Sequence, residues 1–358
     1  MRQFKRYGLA AGLAAVLAWG LAGCGGSSDG NQQLRVSYSS LVTFGDSLSD
    51  VGTYNVDKIT ALGGGKYTVN SSTSKNWTEL LATQMGLPAP CAAQTGLDGS
   101  YFNAPVVNHK ECLNYAQGGA RVTFPVGPGN KLIPDNSALG QLTVPVVTQI
   151  SNHLTKVGGT FTGKELVTVM AGGNDVLMNL GAVGASAMTP TAAVTAMGVA
   201  GAEMAGYIKA LIVGKGAKYV AVLNVPDIKN TPFGQKQTTA TQGLIDMMVT
   251  TFNDQLKAGL QGTSGVVLID AYTASKDQVL NPAQYSLSNV KGTACKLSDP
   301  NPDPQVNPLN SSLVCNAANV NVGDVSRYLF ADSVHPTPYG YQLMAQLVSK
   351  ELVLAKWF

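Results

Sequence analysis

The sequence carries little charge. Lys, Arg, Asp and Glu make up 13% of its 358 residues, about half the share in an average protein. The 24 basic side chains include Arg2, Lys5 and Arg6, which leaves 21 basic side chains against 21 acidic ones in the rest of the chain. Nucleic-acid binding depends on an excess of basic residues, so we expect no nucleic-acid partner.

Metal-binding patterns are scarce as well. The sequence has three histidines and five cysteines, and no pair of cysteines shows the short spacing that is typical of zinc sites. We therefore expect no metal and no cofactor. No apolar run after the first 25 residues is long enough to predict a membrane span. What is present, with 45% hydrophobic residues and 40 glycines, is the composition of a globular chain with a sizeable core.

The N-terminal residues predict an export signal. Three basic residues precede the apolar stretch 9–21, which is the order found in signal peptides. The small residues before Cys24 resemble the bacterial lipobox, in which the cysteine is lipidated and becomes the mature N-terminus. We expect a lipoprotein signal peptide over 1–23, a flexible tether over 24–37 and a lipid anchor in the bacterial envelope. Gly25 favours the outer membrane. The alternative is a secretory signal with a chance cysteine.

Four further cysteines predict two disulfides. They are Cys91, Cys112, Cys295 and Cys315. An even number of cysteines in an oxidising compartment favours a disulfide framework. Of the three possible pairings we predict Cys91–Cys112 and Cys295–Cys315, because each pair brackets an irregular loop rich in Pro, Asn and Gly. Buried free thiols and a metal site are the alternatives.

Strand and helix patterns alternate along the chain, which predicts one α/β domain over 38–358 with a parallel sheet. Apolar runs predict strands over 41–44, 113–116, 165–170, 218–225 and 266–269. Helical spacing predicts helices over 77–85, 142–154, 192–213, 244–260 and 338–354. The segments 86–112 and 276–330 do not fit the alternation, and we expect them to form the walls of a substrate site.

Two motifs suggest a nucleophilic serine and its base. The first strand leads into Gly-Asp-Ser-Leu, which places Ser47 at the carboxyl end of a strand, where ligands bind in α/β sheets. Near the other end of the chain, Asp332 lies three residues before His335. It can hold Nδ1 of His335 and leave Nε2 free to take a proton from Ser47. Taken alone, the first motif is better explained as a tight turn with a capping serine, and the second as a surface turn with an incidental histidine.

Two glycine-rich turns offer hydrogen-bond donors. One contains Gly119, and the other places Asn174 after two glycines. A glycine N–H and an asparagine amide are suitable donors for an oxyanion, although both residue types are also the default in turns that end strands.

The four motifs together, in this order, resemble the GDSL lipase/esterase family, the SGNH hydrolases, over residues 40–355. The resemblance implies a three-layer, flavodoxin-like α/β fold with a central, mainly parallel, five-stranded sheet. It implies Ser47, Asp332 and His335 as the catalytic residues. It also implies an oxyanion hole formed by the N–H groups of Ser47 and Gly119 and the amide of Asn174.

The function that this resemblance implies is hydrolysis of carboxylic esters, including lipids, through an acyl-enzyme on Ser47. An acyltransferase of the glycerophospholipid–cholesterol acyltransferase type is the first alternative, and a catalytically silent surface lipoprotein is the second. Apolar loop residues are candidates for an acyl site, with simple loop packing as the alternative: Leu87, Tyr101, Phe102, Val106 and Phe124.

Overall fold

The structure is a computed structural model, and it describes residues 36–298 and 306–358. The predicted signal peptide, Cys24 and nearly all of the predicted tether lie outside the described residues. The chain divides into two units, 1–34 and 35–358, and everything below belongs to the second unit.

The described residues form eight strands and nine α-helices. The strands are β1 (Ser40–Gly45), β2 (Gln94–Leu97), β3 (Ala104–Asn108), β4 (Glu165–Met170), β5 (Tyr219–Leu223), β6 (Val266–Ile269), β7 (Asn289–Thr293) and β8 (Tyr328–Phe330). The helices are α1 (Asp57–Ala61), α2 (Trp77–Gln84), α3 (Val146–Lys156), α4 (Gly173–Gly184), α5 (Pro190–Tyr207), α6 (Pro232–Gln235), α7 (Thr239–Leu260), α8 (Ala271–Leu280) and α9 (Pro338–Leu354).

The central sheet is parallel, with the strand order β1-β4-β5-β6. Its register runs through one row of valines, in which Val42 pairs with Val167, Val167 with Val220, and Val220 with Val266. Nearly every residue of β1, β4 and β5 is buried, as expected for parallel strands that are covered on both faces. This confirms the predicted α/β fold with a mainly parallel sheet.

The sheet has four strands among the described residues, not the five that we predicted. The predicted strand over 113–116 lies beside β1, where the Thr43 N–H donates to Leu113 O at 3.1 Å. It makes only one bridge to β1, between Thr43 and Asn114. Asn114 also bonds to the main chain of Cys91 and Ala93. The next outward-pointing donor, the Ala116 N–H, bonds to the Asn114 side chain, so the segment stops after one bridge on each side and does not extend into a ladder.

Helices cover both faces of the sheet. One face packs into the largest apolar cluster together with α5 and α7, through Val42, Phe44, Val167, Val169, Val220 and Val222. Successive strand residues alternate between faces, so the remaining strand residues point to the other side. There α2 and α9 pack against each other, and α9 contacts β6. The result is a sheet between two helical layers.

One helical stretch among the described residues, 190–215, is long and apolar enough to cross a membrane by length and composition alone, although we had predicted none after residue 25. Its Met197, Met204, Ile208 and Ile212 are fully buried in the cluster that also holds α7. Of this apolar window 39% is buried, so packing in the core accounts for part of its apolar composition.

Both disulfides have the predicted pairing. Cys91–Cys112 and Cys295–Cys315 have Cα–Cα distances of 5.0 and 5.8 Å. The second disulfide packs against Ala331, the residue before Asp332, so it lies next to the turn that carries the predicted base.

Candidate active site

Three turns meet at one end of the sheet. Ser47 follows β1 and Asn174 lies in the first turn of α4, just after β4. The carboxyl ends of parallel strands share one edge, which brings these two residues together. Asp332 and His335 come from the turn between β8 and α9, outside the central sheet. This turn is closed by the Ala331 N–H, which donates to His335 O at 2.7 Å.

The structure joins the three predicted catalytic residues in one hydrogen-bonded chain. Ser47 Oγ lies 2.8 Å from Nε2 of His335. Nδ1 of the same ring lies 2.8 Å from Oδ2 of Asp332. This is the order of contacts that a serine nucleophile, its base and an orienting carboxylate require.

The Asp332 carboxylate is buried and well supplied with donors. It accepts main-chain N–H groups from Ser312 at 2.9 Å, Val334 at 3.0 Å and His335 at 2.8 Å. Burial by itself would raise the pKa of Asp332, but the charge of His335 and these hydrogen bonds outweigh it and hold the pKa well below its usual range. Asp332 is therefore ionised at neutral pH and suited to orient the imidazole. Sequence analysis missed Ser312, which no local motif marks.

An aromatic ring covers the imidazole of His335. The ring centroid of Tyr67 lies 4.6 Å from that of His335, with the planes tilted by 30°. The Tyr67 hydroxyl accepts a hydrogen bond from Nε2 of Gln141 at 2.7 Å. These contacts limit rotation of the imidazole. Sequence analysis also missed both residues, because they come from distant loops.

The three predicted oxyanion donors face the same cavity. Gly119 has a φ of 77°, and a Cβ at this position would come within 2.2 Å of Pro128 O, so the turn requires glycine. The Asn174 amide donates to Ala120 O at 2.8 Å, which leaves its second hydrogen for a ligand. Within residues 36–298 and 306–358, the N–H groups of Ser47 and Gly119 donate to no protein acceptor. Their role in holding an oxyanion stays a prediction.

Buried carboxylates hold these turns in place. Asp50 accepts the N–H of Gly118 at 2.9 Å. Asp175 bonds to Nε of Arg121 at 2.9 Å and to the N–H of Val122 at 3.0 Å. The turn with Gly119 is thus tied both to the serine turn and to the helix that carries Asn174.

Asp46, beside the nucleophile, is a buried carboxyl group with a single described donor, the Leu48 N–H at 3.0 Å. Burial raises the pKa of Asp46 to about 7, against the lowering effect of that hydrogen bond. The group therefore changes its charge near neutral pH.

The cavity at Ser47 has a volume of about 290 Å³. Its walls come from the segments 128–141, 170–177 and 225–231, together with residues next to Ser47 and His335. No described residue of 86–112 or 276–330 lines this cavity, so our expectation was wrong for the walls around Ser47. Residues 86–112 contain the hairpin β2–β3, and residues 276–330 contain the paired strands β7 and β8. Each segment thus forms its own small sheet instead of lining the cavity.

The five apolar loop residues proposed for an acyl site also lie elsewhere. None of them, Leu87, Tyr101, Phe102, Val106 or Phe124, is part of the cavity wall in the described structure. Phe102 is buried in a separate cluster with Tyr54 and Leu97. Among the described residues, no group of three His, Cys, Asp or Glu side chains could hold a metal ion.

Comparison with known proteins agrees with this geometry. A family model described as GDSL-like lipase/acylhydrolase matches residues 41–348. The chain belongs to this family. The match runs from β1 into α9 and so includes all three turns of the site.

Individual relatives are distant. The chain is 27% identical over 343 residues to the esterase EstA of Pseudomonas aeruginosa, which covers 89% of this chain and 47% of the relative. It is 25% identical over 351 residues to a GDSL esterase/lipase of Arabidopsis thaliana, and this match covers 87% of this chain and 86% of the relative. The chain thus spans about half the length of the Pseudomonas relatives that it matches. A solved acetyl xylan esterase from Geobacillus stearothermophilus aligns over 89% of this chain and 97% of its own, at 11% identity and a TM-score of 0.40; this likeness is too low to support an argument.

Proposed function

We propose that the chain hydrolyses carboxylic esters through a covalent acyl-enzyme on Ser47. The observation that carries this proposal is the unbroken contact chain from Ser47 through His335 to Asp332 at the wall of a cavity. Membership of the GDSL-like lipase/acylhydrolase family supports the reaction class.

In the first step Ser47 Oγ attacks the ester carbonyl carbon while Nε2 of His335 takes the hydroxyl proton. The carbonyl electron pair moves to the oxygen, where the N–H groups of Ser47 and Gly119 and the amide of Asn174 stabilise the negative charge. The carbon–oxygen bond then breaks, and the imidazolium gives its proton to the departing alcohol. Throughout, Asp332 keeps Nδ1 protonated and stabilises the positive ring.

In the second step His335 takes a proton from water as the water attacks the acyl carbon. The same donors hold the new oxyanion. As it collapses, the bond between the acyl carbon and Ser47 Oγ breaks, the imidazolium of His335 returns its proton to Oγ, and the carboxylic acid leaves. An alcohol that takes the place of water would give a transferred ester instead. Adding an alcohol acceptor to the assay and analysing the products separates hydrolysis from acyl transfer.

The test is hydrolysis of p-nitrophenyl butanoate by the purified chain, beside Ser47→Ala. We expect the substitution to lower kcat by several orders of magnitude, as the loss of a serine nucleophile does in serine hydrolases. Ser333→Ala is a matched control, because this serine neighbours the site and its hydroxyl has no hydrogen bond to the described residues. Equal activity of Ser47→Ala and the parent would refute the proposal.

Labelling by a fluorophosphonate separates an active serine from a silent site. The probe reacts covalently with an activated serine even when the substrate is poorly chosen. We expect labelling of the parent and of Ser333→Ala, and none of Ser47→Ala. A folded parent that neither labels nor hydrolyses the ester would favour a binding lipoprotein.

We also propose that Cys24 carries a lipid that anchors the protein to the bacterial outer membrane after removal of residues 1–23. The support is the sequence pattern of 1–37 alone. The test is detergent-phase partitioning of the exported chain. Cys24→Ser should move the protein from the detergent phase to the aqueous phase, and partitioning unchanged by the substitution would contradict the anchor.

A further inference from the structure

We propose that the cleft between α8 and α9 continues the active-site cavity and takes the distal end of a long, unbranched acyl chain. The proposal rests on the proposed ester hydrolysis and adds the substrate class: esters of acids whose chains are too long for the cavity at Ser47 alone. Three features of the described residues carry it.

The first feature is the division of the cavity lining into polar and apolar groups. Tyr67, Asn136 and Gln141 contribute polar groups. The segment after β5 and helix α4 contribute apolar surface through Leu177, Val225, Pro226 and Ile228. An acyl chain has no hydrogen-bonding group beyond its carbonyl, so it gains most free energy by lying on the apolar surface. The polar residues of the lining are then left to contact the alcohol part of the ester.

The second feature is a second cavity that borders the apolar surface. This cavity, of about 60 Å³, shares four lining residues with the first: Leu48, Pro226, Thr231 and Val334. Leu48 follows the nucleophile and Val334 precedes the base, so this neck begins next to the reacting atoms. Beyond the neck, the walls are Ala274 and Val279 from α8 and Met344 and Leu347 from α9.

The third feature is the chemistry of the neck and cleft. The hydroxyl of Thr231 donates to Ile228 O and accepts from the Gly234 N–H. The hydroxyl of Ser275 donates to Tyr272 O and accepts from the Asp227 N–H. Neither hydroxyl therefore has a hydrogen left to donate to a ligand. The Asp227 carboxyl in the same lining disfavours an anionic ligand, so a hydrocarbon end fits the cleft better than a carboxylate or phosphate group.

If the cleft binds the end of the acyl chain, it makes ester binding depend on the length of that chain. Each methylene that moves from water to an apolar surface strengthens binding by about fourfold. Chains that stop in the first cavity gain nothing from the cleft. Longer chains gain this factor for each methylene that enters the cleft. They lose this gain when a bulky side chain fills the cleft.

The experiment fills the cleft from the side away from Ser47. Ala274→Phe occupies it with a ring, and Ala274→Ser is the size-matched control. We compare kcat/KM for p-nitrophenyl butanoate and dodecanoate, both below their solubility limits. Ala274→Phe should lower kcat/KM for dodecanoate by about tenfold or more, since at least two methylenes lose their binding site. It should leave kcat/KM for butanoate unchanged. Met344→Phe, from the opposite wall, should give the same pattern.

Three results would overturn the inference. One is a parent that hydrolyses butanoate in a Ser47-dependent way but does not turn over dodecanoate. Another is an equal loss on both esters in the two filled variants. The last is an unchanged kcat/KM for dodecanoate in both Ala274→Phe and Met344→Phe when the Tm of each variant is also unchanged. Absence of Ser47-dependent hydrolysis of butanoate itself would instead refute the proposed function, so the two failures are distinguishable.

Discussion

Replacing Asp332 by asparagine should disable the site by moving a proton on His335. In the parent, Oδ1 of Asp332 accepts the N–H groups of Val334 and His335, and Oδ2 accepts that of Ser312. An asparagine oxygen in the place of Oδ1 keeps the first two bonds. Its NH₂ group then lies opposite Nδ1 of the imidazole and donates to it. In the parent, Nδ1 lies 2.8 Å from Oδ2 and 2.9 Å from Oδ1, so an NH₂ group in place of Oδ2 favours the ring with its proton on Nε2. That ring nitrogen can then no longer accept the proton of Ser47.

Two magnitudes follow from these contacts. The NH₂ group cannot accept the Ser312 N–H, and one unsatisfied buried donor costs about 1–3 kcal/mol of stability. The wrong tautomer lowers kcat by about 10⁴-fold when the same substitution is made in a serine protease. Asp332→Ala would leave all three N–H groups unpaired, at a cost of about 3–9 kcal/mol. That is close to the whole stability of many domains, so asparagine is the better test.

The assay measures kcat on p-nitrophenyl butanoate and the Tm of the parent, Asp332→Asn and His335→Ala. We expect Asp332→Asn to lose about 10⁴-fold in kcat while its Tm falls by only a few degrees. His335→Ala removes the base itself and should lose at least as much activity. If the folded Asp332→Asn variant kept kcat within about tenfold of the parent, the assigned role of Asp332 in setting the tautomer would be refuted.

Four further predictions test the surroundings of these residues. Asn174→Ala should lower kcat on the butanoate ester by about 10²–10³-fold; an effect below tenfold would remove it from the oxyanion hole. Cys315→Ser opens a disulfide that closes 20 residues and should lower the stability by about 3 kcal/mol; an unchanged Tm would contradict a structural role. Burial raises the pKa of Asp46 to about 7, so the native state binds this proton more tightly than the unfolded chain. The contribution of Asp46 to stability therefore falls as the pH rises from about 4 to about 7, and Asp46→Asn should remove this contribution from the pH dependence of Tm. Tyr67→Leu should lower kcat without raising KM, whereas Tyr67→Phe keeps the ring stack and should retain kcat; equal losses would indicate a role for the hydroxyl alone.

The residues of the predicted chemistry could be named from the sequence because each depends on local geometry. Ser47 lies in a turn directly after a buried strand. Asp332 and His335 are three residues apart, which is close enough for the carboxylate to reach both the main chain and the ring of the histidine. Asn174 follows two glycines that allow the chain to turn from β4 into α4. The α/β class and the disulfide pairing likewise follow from short-range patterns.

The tertiary structure alone decided what surrounds these residues. The cavity walls, the ring of Tyr67 over the imidazole and the N–H of Ser312 on Asp332 are contacts between segments far apart in the chain, and no local pattern specifies them. The expected fifth strand stops after one bridge on each side, because the Asn114 side chain takes the Ala116 N–H, a contact that the apolar pattern of 113–116 does not show. Local sequence therefore indicated the candidate reacting groups, because each lies in a motif of a few residues, whereas the contact between Ser47 and His335 needed the fold. Packing between distant segments determined the cavity, because complementary shape exists only once the chain has folded.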